Sequence, residues 1–339
     1  MKLYINGSST ISPFQPADLF SVTEHNIQSG DRLFCSEPDY DKIFDPSQIR
    51  RWSRILKMGL ATAAESMKKA KDPRVDAIIT GTGYGNTEDT IRFLLKMTNP
   101  EERGMNPTSF IQSTYNTISS LIALNLNNQG YNNTFVHSEF SFESAFDDAI
   151  MLLKAGEARN VLVGGIDELT NEVYEILKRL KKASIRCAKK NISGRPLETL
   201  RFGEGSSFFV LSEKPDPGSS VEITDFRILY KPGKDQIISY FEEITHDNKI
   251  DLFMLGEKGE KSNNGSYDWI HSRTSNEKCF NYKRLCGDYP TASAFGLWLA
   301  TYILSGVESK LTSVKNPEGI LIYNCSDNKY HSFMSLKRC

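Results

Sequence analysis

The sequence predicts an α/β fold made of two similar halves. Strand-like and helix-like segments alternate over most of the 339 residues, and several short apolar runs are typical of strands buried on both faces. Around residues 214–220 the composition shifts to Pro, Gly and Ser, and a second course of the same kind follows. We therefore expect a mainly parallel sheet covered on both faces, built from residues 1–213 and a shortened half of residues 214–339.

The first half is predicted from apolar periodicity. Apolar residues from Ile49 to Ala64 recur every 3.6 residues, and Asp45-Pro46 supplies an N-cap and a first-turn proline, so a helix is expected over 46–71. Further helices are expected over 87–97, 114–127 and 141–155. Strands are expected over 2–5, 75–80, 134–137, 160–163 and 206–212.

The second half repeats this alternation. Strands are expected over 221–229, 250–255 and 319–323, the last of these being the final strand of the chain. Helices are expected over 234–245 and 289–306. The polar stretch 257–277 is interpreted as a surface excursion.

Composition excludes several classes of function. A hydrophobic content of 39% with 24% charged residues is ordinary for a globular protein, and the net charge of −1 argues against nucleic acid or an anionic membrane as a partner. No window approaches the roughly 18 apolar residues of a membrane helix, and no signal peptide is recognisable at the N-terminus. The six cysteines form no CxxC pair, so we expect reduced thiols in a cytoplasmic protein and no metal site.

Two glycine-containing turns have structural interpretations. Gly81-Thr-Gly-Tyr-Gly85 matches neither GxGxxG nor a P-loop, and it is interpreted as a tight strand-to-helix turn rather than a nucleotide site. No cofactor is therefore expected. Glu204, in a Gly-Glu-Gly turn before an apolar strand, is expected to be a buried, paired carboxylate.

Glu139 occupies the most informative position in the chain. The run from Thr134 to Ala149 predicts a strand that turns sharply into a helix, with Glu139 at the elbow facing the positive end of the helix dipole. Several enzyme folds expose a nucleophile in this way. A carboxylate is a poor acyl-carrying nucleophile, although acidic residues do stabilise helix N-termini.

The ordered motifs resemble those of the β-ketoacyl synthases of the thiolase-like superfamily over nearly the whole chain. The resemblance implies a thiolase-like αβαβα layered fold. It rests on Asp45–Arg51 (D-P-x-x-x-R-R), Gly81–Gly83 (GTG), Asn106-Pro107, Leu152–Gly165 and Phe202–Leu211 (GEG).

The resemblance also implies catalytic positions, and most of them have changed. The family's cysteine falls on Glu139, its first histidine on Gly256 and its second on Asp288, while its lysine is retained as Lys283. The family's glycine-rich loop falls on Asn324–Tyr330, which has no glycine. The cysteine would carry the acyl chain and the histidines would stabilise the enolate of malonyl-carrier decarboxylation, so condensation by this chain alone is not expected.

Other residues near the expected site have alternative interpretations. His137 is a candidate rescue base for Glu139, but a packed histidine at a strand end is the favoured interpretation. Cys286 and Cys325 are expected to be buried as small hydrophobes rather than to act as nucleophiles.

The resemblance implies a degenerate member of the family similar to chain-length-factor subunits. The first hypothesis is a non-condensing partner of an active ketosynthase in fatty-acid, polyketide or polyene biosynthesis on acyl carrier protein. The chain would form a heterodimer, or a homodimer, through an interface around Asn133–Val136. The alternatives are a malonyl-carrier decarboxylase or an atypical condensing acyltransferase using Glu139, and an active condensing enzyme whose nucleophile lies elsewhere.

Overall fold

The computed structural model describes residues 2–14, 30–70, 74–98, 107–188, 201–216, 221–258, 266–307 and 311–339. Asn106, the end of the composition shift at 217–220 and positions 259–265 of the polar stretch lie outside the described residues.

Ten strands form the sheet. They are β1 (Leu3–Ile11), β2 (Ala77–Gly81), β3 (Tyr131–Phe135), β4 (Asn160–Asp167), β5 (Gly205–Ser212), β6 (Val221–Tyr230), β7 (Leu252–Leu255), β8 (Cys279–Asn281), β9 (Gly319–Ser326) and β10 (Tyr330–Arg338).

Eleven α-helices are found in the described ranges. They are α1 (Pro46–Ile49), α2 (Arg54–Lys69), α3 (Thr87–Thr98), α4 (Pro107–Gln112), α5 (Thr117–Asn125), α6 (Ser141–Lys154), α7 (Asn171–Ala188), α8 (Lys234–Asp247), α9 (Ser266–Arg273), α10 (Lys283–Cys286) and α11 (Ala292–Leu304).

The strand order is the same in the two halves of the sheet. The first half runs β3-β2-β4-β5-β1 from the edge inward, and the second runs β8-β7-β9-β10-β6 in the same way. β1 and β6 pair antiparallel and join the halves. In each half the three outer strands are parallel, so their carboxyl ends reach one edge of the sheet.

Three apolar clusters correspond to three layers of helices. The largest lies between the halves, where α6 and α11 pack on strands of both, with Phe142 and Phe295 fully buried. A second cluster packs α2 and α5 against the first half. A third packs α8 and α9 against the second half. Alternating helical and sheet layers give the expected αβαβα arrangement.

The expectation of a mainly parallel sheet is wrong. β5 returns antiparallel beside β4, and β10 beside β9. The connection from β9 to β10 shows the reason. It consists only of residues 327–329, and Asp327 and Asn328 form a tight turn with left-handed backbone (φ 50° and 55°). Parallel pairing would need a much longer crossover connection.

Several observed elements differ from the predicted ones. The helix expected over 46–71 is divided, since Ser53 is extended and begins α2 as a separate helix; Asp45 does cap α1 by accepting from the Ser47 amide. The strand at 319–323 is not the last, because the buried β10 follows it. The stretch 257–277 is not wholly a surface excursion, because α9 buries Tyr267 and Ile270. α7 was not anticipated.

Candidate active-site region

Glu139 lies in a short 3₁₀ turn between β3 and α6, so the predicted strand-to-helix elbow is present. Ser138 has a left-handed backbone (φ 50°). The Ser141 hydroxyl closes the turn by accepting from the His137 amide at 2.8 Å and donating to the Ser138 carbonyl at 2.7 Å. That Glu139 holds the position of a nucleophile stays a prediction.

The Glu139 carboxylate is held by the second half of the chain. It forms an ion pair with Lys258, which follows β7, and it accepts a hydrogen bond of 2.8 Å from the Ser326 hydroxyl at the end of β9. About a third of the Glu139 side chain is exposed. The carboxylate is therefore engaged by a cation and a hydroxyl at the sheet's carboxyl edge.

Asp288 and Lys283 form a second ion pair, with 2.8 Å between the Asp288 carboxylate and the Lys283 ammonium. Burial would lower the pKa of Lys258, but the carboxylates of Asp288, Glu139 and Asp327 raise it above its usual value. Lys258 is therefore charged at neutral pH, and the predicted site residues belong to one cluster of alternating charges.

Gly256 has no space for a side chain. Its amide donates to the Tyr323 carbonyl at 2.9 Å, and a Cβ atom added to it would lie 2.5 Å from both the Tyr282 hydroxyl and the Asn324 side-chain oxygen. Both groups are buried. A larger residue at position 256 would therefore require Tyr282 and Asn324 to move.

Glu143, in the first turn of α6, is a second carboxylate that faces β9. Its carboxylate accepts a hydrogen bond of 2.7 Å from the Asn324 amide, and both residues are buried. Burial raises the pKa of Glu143, while the hydrogen bond from Asn324 opposes that rise. β9 is thus joined to the elbow by the bond between Glu139 and Ser326, and to α6 by the bond between Glu143 and Asn324.

The glycine-rich turn after β2 is bound by the buried Asp167. One carboxylate oxygen accepts from the amides of Gly83 and Tyr84 at 2.8 and 2.7 Å, and the other accepts from the Thr291 amide at 2.9 Å. A Cβ atom on Gly83 would lie 2.2 Å from Pro290. Because these amides are already used within the chain, the structural interpretation of the turn is supported over a nucleotide site.

Glu204 is the buried, paired carboxylate that was expected. Its oxygens accept two hydrogen bonds from the Arg54 guanidinium, at 2.6 and 2.7 Å. Burial would raise the pKa of Glu204, but Arg54 lowers it below its usual value. Arg54 also binds Glu37 at 2.6 Å, which ties the chain before α1 to the start of β5.

Within the described ranges, the surroundings of His137, Cys286 and Cys325 are structural rather than catalytic. The His137 ring is 3.0 Å from the Ser144 hydroxyl and packs edge-on against Tyr330. Cys286 and Cys325 are buried, as expected, and burial raises the pKa of both thiols, that of Cys325 to about 11. Neither thiol favours the thiolate that a nucleophile requires.

Sequence reasoning missed several residues of this region. Lys258 lies two positions after Gly256, but its partner Glu139 lies in the other half of the chain, so no local pattern indicated the pair. Glu143 carries no local signal either, because its partner Asn324 lies 181 positions away. The same is true of Asp167 and Thr291, which are 124 positions apart.

The edge strand β3 borders a surface groove of about 1010 Å³. Most of its lining residues are polar, among them residues 132–134, and Tyr115 and Leu124 add apolar side chains. Leu124 is 74% exposed, and the neighbouring α4 exposes Phe110 and Ile111. Patches of this kind are typical of protein interfaces.

Comparison with known proteins finds one family model that matches part of the chain. Residues 36–191 match the family described as beta-ketoacyl synthase, N-terminal domain. No curated protein sequence matches the chain.

Similar solved structures include a type II polyketide acyl-carrier protein in complex with its ketosynthase bound to the hexaketide, with a TM-score of 0.75 at 17% identity, covering 100% of this chain and 99% of that one. They also include a ketosynthase in complex with its chain length factor from Xenorhabdus doucetiae, with a TM-score of 0.72 at 14% identity, covering 100% and 98%. A beta-ketoacyl synthase from Burkholderia phymatum has a TM-score of 0.74 at 15% identity, covering 100% of this chain and 99% of that one.

The fold is therefore that of the thiolase-like ketosynthases, as expected. The resemblance to the β-ketoacyl synthases is confirmed by the family match over residues 36–191, and solved structures of a ketosynthase with its chain length factor share the fold. In the described part of the chain, no helix combines the length and apolar character that crossing a membrane requires.

Proposed function

We propose that this chain is a catalytically impaired ketosynthase-like subunit that pairs with an active ketosynthase working on acyl chains borne by an acyl carrier protein. Its role is to complete and shape the partner's site rather than to form the carbon–carbon bond. The domain division at residues 213 and 214 and the assignment of Glu139, Gly256, Asp288 and Lys283 to catalytic positions are part of this proposal.

The state of Glu139 is the observation that carries the proposal. A condensing site needs a free nucleophile and donors aimed at a developing enolate oxygen. Here the elbow carboxylate is bound by Lys258 and Ser326, and position 256 is filled from both sides by Tyr282 and Asn324. Asp288 adds negative charge where an enolate would need a donor.

The exposed surface along β3 supports a stable partner. Among the described residues β3 is an edge strand, and with Leu124, Phe110 and Ile111 exposed beside it this edge is suited to continuing the sheet into another subunit. Solved ketosynthases in complex with a chain length factor have the same fold as this chain. We assign this surface to the synthase subunit.

Co-expression tests the proposal. The chain, tagged, is produced with the ketosynthase encoded beside it, and the purified material is analysed by size-exclusion chromatography with light scattering. We expect a stable complex with one copy of each chain. A chain that never associates with that synthase, under conditions in which both are folded, would overturn the proposal.

Decarboxylation of malonyl-carrier is a second candidate, and the Lys258 ammonium favours it. This cation lies beside Glu139, where it could neutralise charge that develops on a thioester oxygen. The test is carbon dioxide release from malonyl-carrier by the wild-type chain, Glu139→Gln and Lys258→Met. Release that both substitutions abolish would establish this activity, and no release above the uncatalysed rate would exclude it.

A further inference from the structure

A second cluster of titratable side chains lies in the second half of the chain, and the candidate site around Glu139 does not use it. It consists of Glu257, which follows β7, His271 in the last turn of α9, and Cys279, the first residue of β8. The His271 Nε2 atom lies 2.6 Å from the Glu257 carboxylate. Cys279 is a free, half-buried cysteine beside the same imidazole. The three residues therefore form a series of carboxylate, imidazole and thiol.

The imidazole is held so that one ring nitrogen remains for the thiol. Glu257 binds Nε2, and the buried Nδ1 atom of His271 makes no hydrogen bond of regular geometry with the described residues. The described side chains are not arranged here to hold a metal ion. A carboxylate that orients an imidazole toward a nucleophile recurs on unrelated folds. The order carboxylate, imidazole, thiol is therefore one that activates a cysteine.

The imidazole of His271 is charged at neutral pH. Cys279 and the hydrogen bond with Glu257 raise its pKa from 6.5 to about 10, although burial alone would lower it. The last turn of a helix also favours a cation, because the helix dipole places negative charge there. An imidazolium beside a thiol favours the thiolate, which is the nucleophilic form of cysteine. Cys279 thus differs from the buried Cys286 and Cys325, whose thiols have raised pKa values.

A hydroxyl completes the surroundings of the sulfur. Thr274 Oγ1 lies 3.0 Å from Cys279 Sγ and 2.8 Å from the Ile270 carbonyl oxygen, and its one proton can be donated to either. The Ile270 carbonyl also accepts from the Thr274 amide at 3.0 Å, so it stays bonded when the hydroxyl turns to the sulfur. An anionic sulfur is therefore stabilised by an imidazolium and a hydroxyl together.

We propose that Cys279 is a modification site that reacts with hydroperoxides. The thiolate attacks the terminal peroxide oxygen, the O–O bond breaks and an S–O bond forms, so the sulfur is oxidised by two electrons to a sulfenic acid. The departing oxygen takes a proton from the His271 imidazolium and leaves as water or an alcohol. A hydroperoxide fits this site because it is small enough to reach a half-buried thiol and because its leaving oxygen needs the proton that His271 carries.

The test measures how fast hydrogen peroxide oxidises each cysteine of the purified, reduced chain at neutral pH. Sulfenic acid is trapped with dimedone and quantified by peptide mass spectrometry. We expect Cys279 to react about tenfold faster than the exposed Cys339, because an ordinary thiol is only a few per cent ionised at neutral pH.

Two variants separate activation from accessibility. His271→Gln should lower the rate at Cys279 about tenfold, and a pH above the ordinary thiol value of about 8.5 should restore it, since the thiol then ionises without the cation. Glu257→Gln, which keeps the imidazole, should lower the rate about threefold. His246→Gln, at an exposed site on α8, is the matched control and should react as the wild type does.

A Cys279 that reacts no faster than Cys339 would overturn the inference, and so would an unchanged rate in His271→Gln or an equal loss in His246→Gln. Unfolding of His271→Gln would be recognised by new reactivity of the buried Cys286 and Cys325. In that case Glu257→Gln decides, and an unchanged rate at Cys279 in this variant would overturn the inference. The proposal does not rest on the proposed function, because no outcome depends on binding to a synthase.

Discussion

Glu139 and Ser326, 187 positions apart, are joined by a hydrogen bond of 2.8 Å that connects the elbow of the first half to the hairpin of the second. Four residues further on, in the first turn of α6, Glu143 binds Asn324, which lies two residues before Ser326 on β9. Because Asn324 and Ser326 are two apart on a strand, their side chains lie on one face of the sheet. Glu139 is therefore part of the connection between the halves.

Filling position 256 should destabilise the fold. Gly256→Ala introduces a Cβ atom too close to the Tyr282 hydroxyl and Asn324, and we expect a loss of about 1–3 kcal/mol in the free energy of unfolding. Urea denaturation measures it. Gly233→Ala, where the nearest atom is 4.0 Å away, is the control and should change little. Equal stability of the two variants would show that position 256 is open.

Restoring the family's catalytic residues should not restore condensation. In a variant carrying Glu139→Cys and Asp288→His, position 256 still cannot hold an imidazole, and we expect no product from acyl-carrier and malonyl-carrier above the background rate. The assay is mass spectrometry of the carrier-bound products. Product formation that depends on the new cysteine would mean that the scaffold has kept a working site.

Removing Arg54 should be costly. Arg54→Met leaves the fully buried Glu204 without its cation, for which we expect a loss of about 3–5 kcal/mol. Thermal and urea unfolding report the change. Lys249→Met breaks an exposed pair with Glu318 and should cost far less. A loss at Arg54 no larger than that at Lys249 would contradict the structural role of the Arg54–Glu204 pair.

Stability should depend on pH through His271. The proximity of Cys279 and a hydrogen bond of 2.6 Å with Glu257 raise the pKa of His271 from 6.5 to about 10. A raised histidine pKa stabilises the fold fully below pH 6.5, and this stabilisation is lost as the pH rises through about 10.

His271→Gln should therefore reduce the fall in unfolding free energy between these two pH values. His246→Gln, at an exposed site, should leave the fall as it is in the wild type. Identical pH profiles for the wild type and His271→Gln would show that the His271–Glu257 pair does not contribute to the pH dependence of stability.

The proposed subunit contact predicts that a charge in the surface along β3, but not one on α7, weakens synthase binding. Leu124→Lys places a charge in the surface along β3, and we expect synthase binding to weaken by about 2 kcal/mol, or roughly thirtyfold. Surface plasmon resonance with immobilised synthase measures the change. Leu180, on α7, is also an exposed leucine (61% against 74% for Leu124), and Leu180→Lys should bind the synthase normally. Loss of binding in Leu180→Lys alone would contradict the assignment of the synthase contact to the surface along β3.

The fold could be predicted because apolar runs and periodicity mark buried elements locally. Asp45 was recognised as a cap for the same reason, since its partner Ser47 is two residues away. Glu139 could be placed because strand, turn and helix follow one another in the chain. The short β8 and α10 have too few residues for any pattern, and they exist because tertiary packing stabilises them.

The remaining features could not be predicted, because the interacting residues are far apart in the sequence and because the net charge was counted over the whole chain. The Lys258–Glu139 pair joins different halves, so no local pattern indicates it. The basic character of α7 disappears in a whole-chain charge of −1, although a charge count over single elements would have revealed it. A composition-based exclusion of basic surfaces therefore applies to the chain and not to each helix.

The most direct test is to ask which subunit carries the acyl chain. The complex of this chain and its synthase is supplied with acyl-carrier and malonyl-carrier, quenched during turnover and analysed by intact-protein mass spectrometry. We predict an acyl mass on the synthase only, lost when its cysteine is replaced by alanine and retained when Glu139→Ala is introduced here. An acyl adduct on any residue of this chain would contradict a non-condensing role.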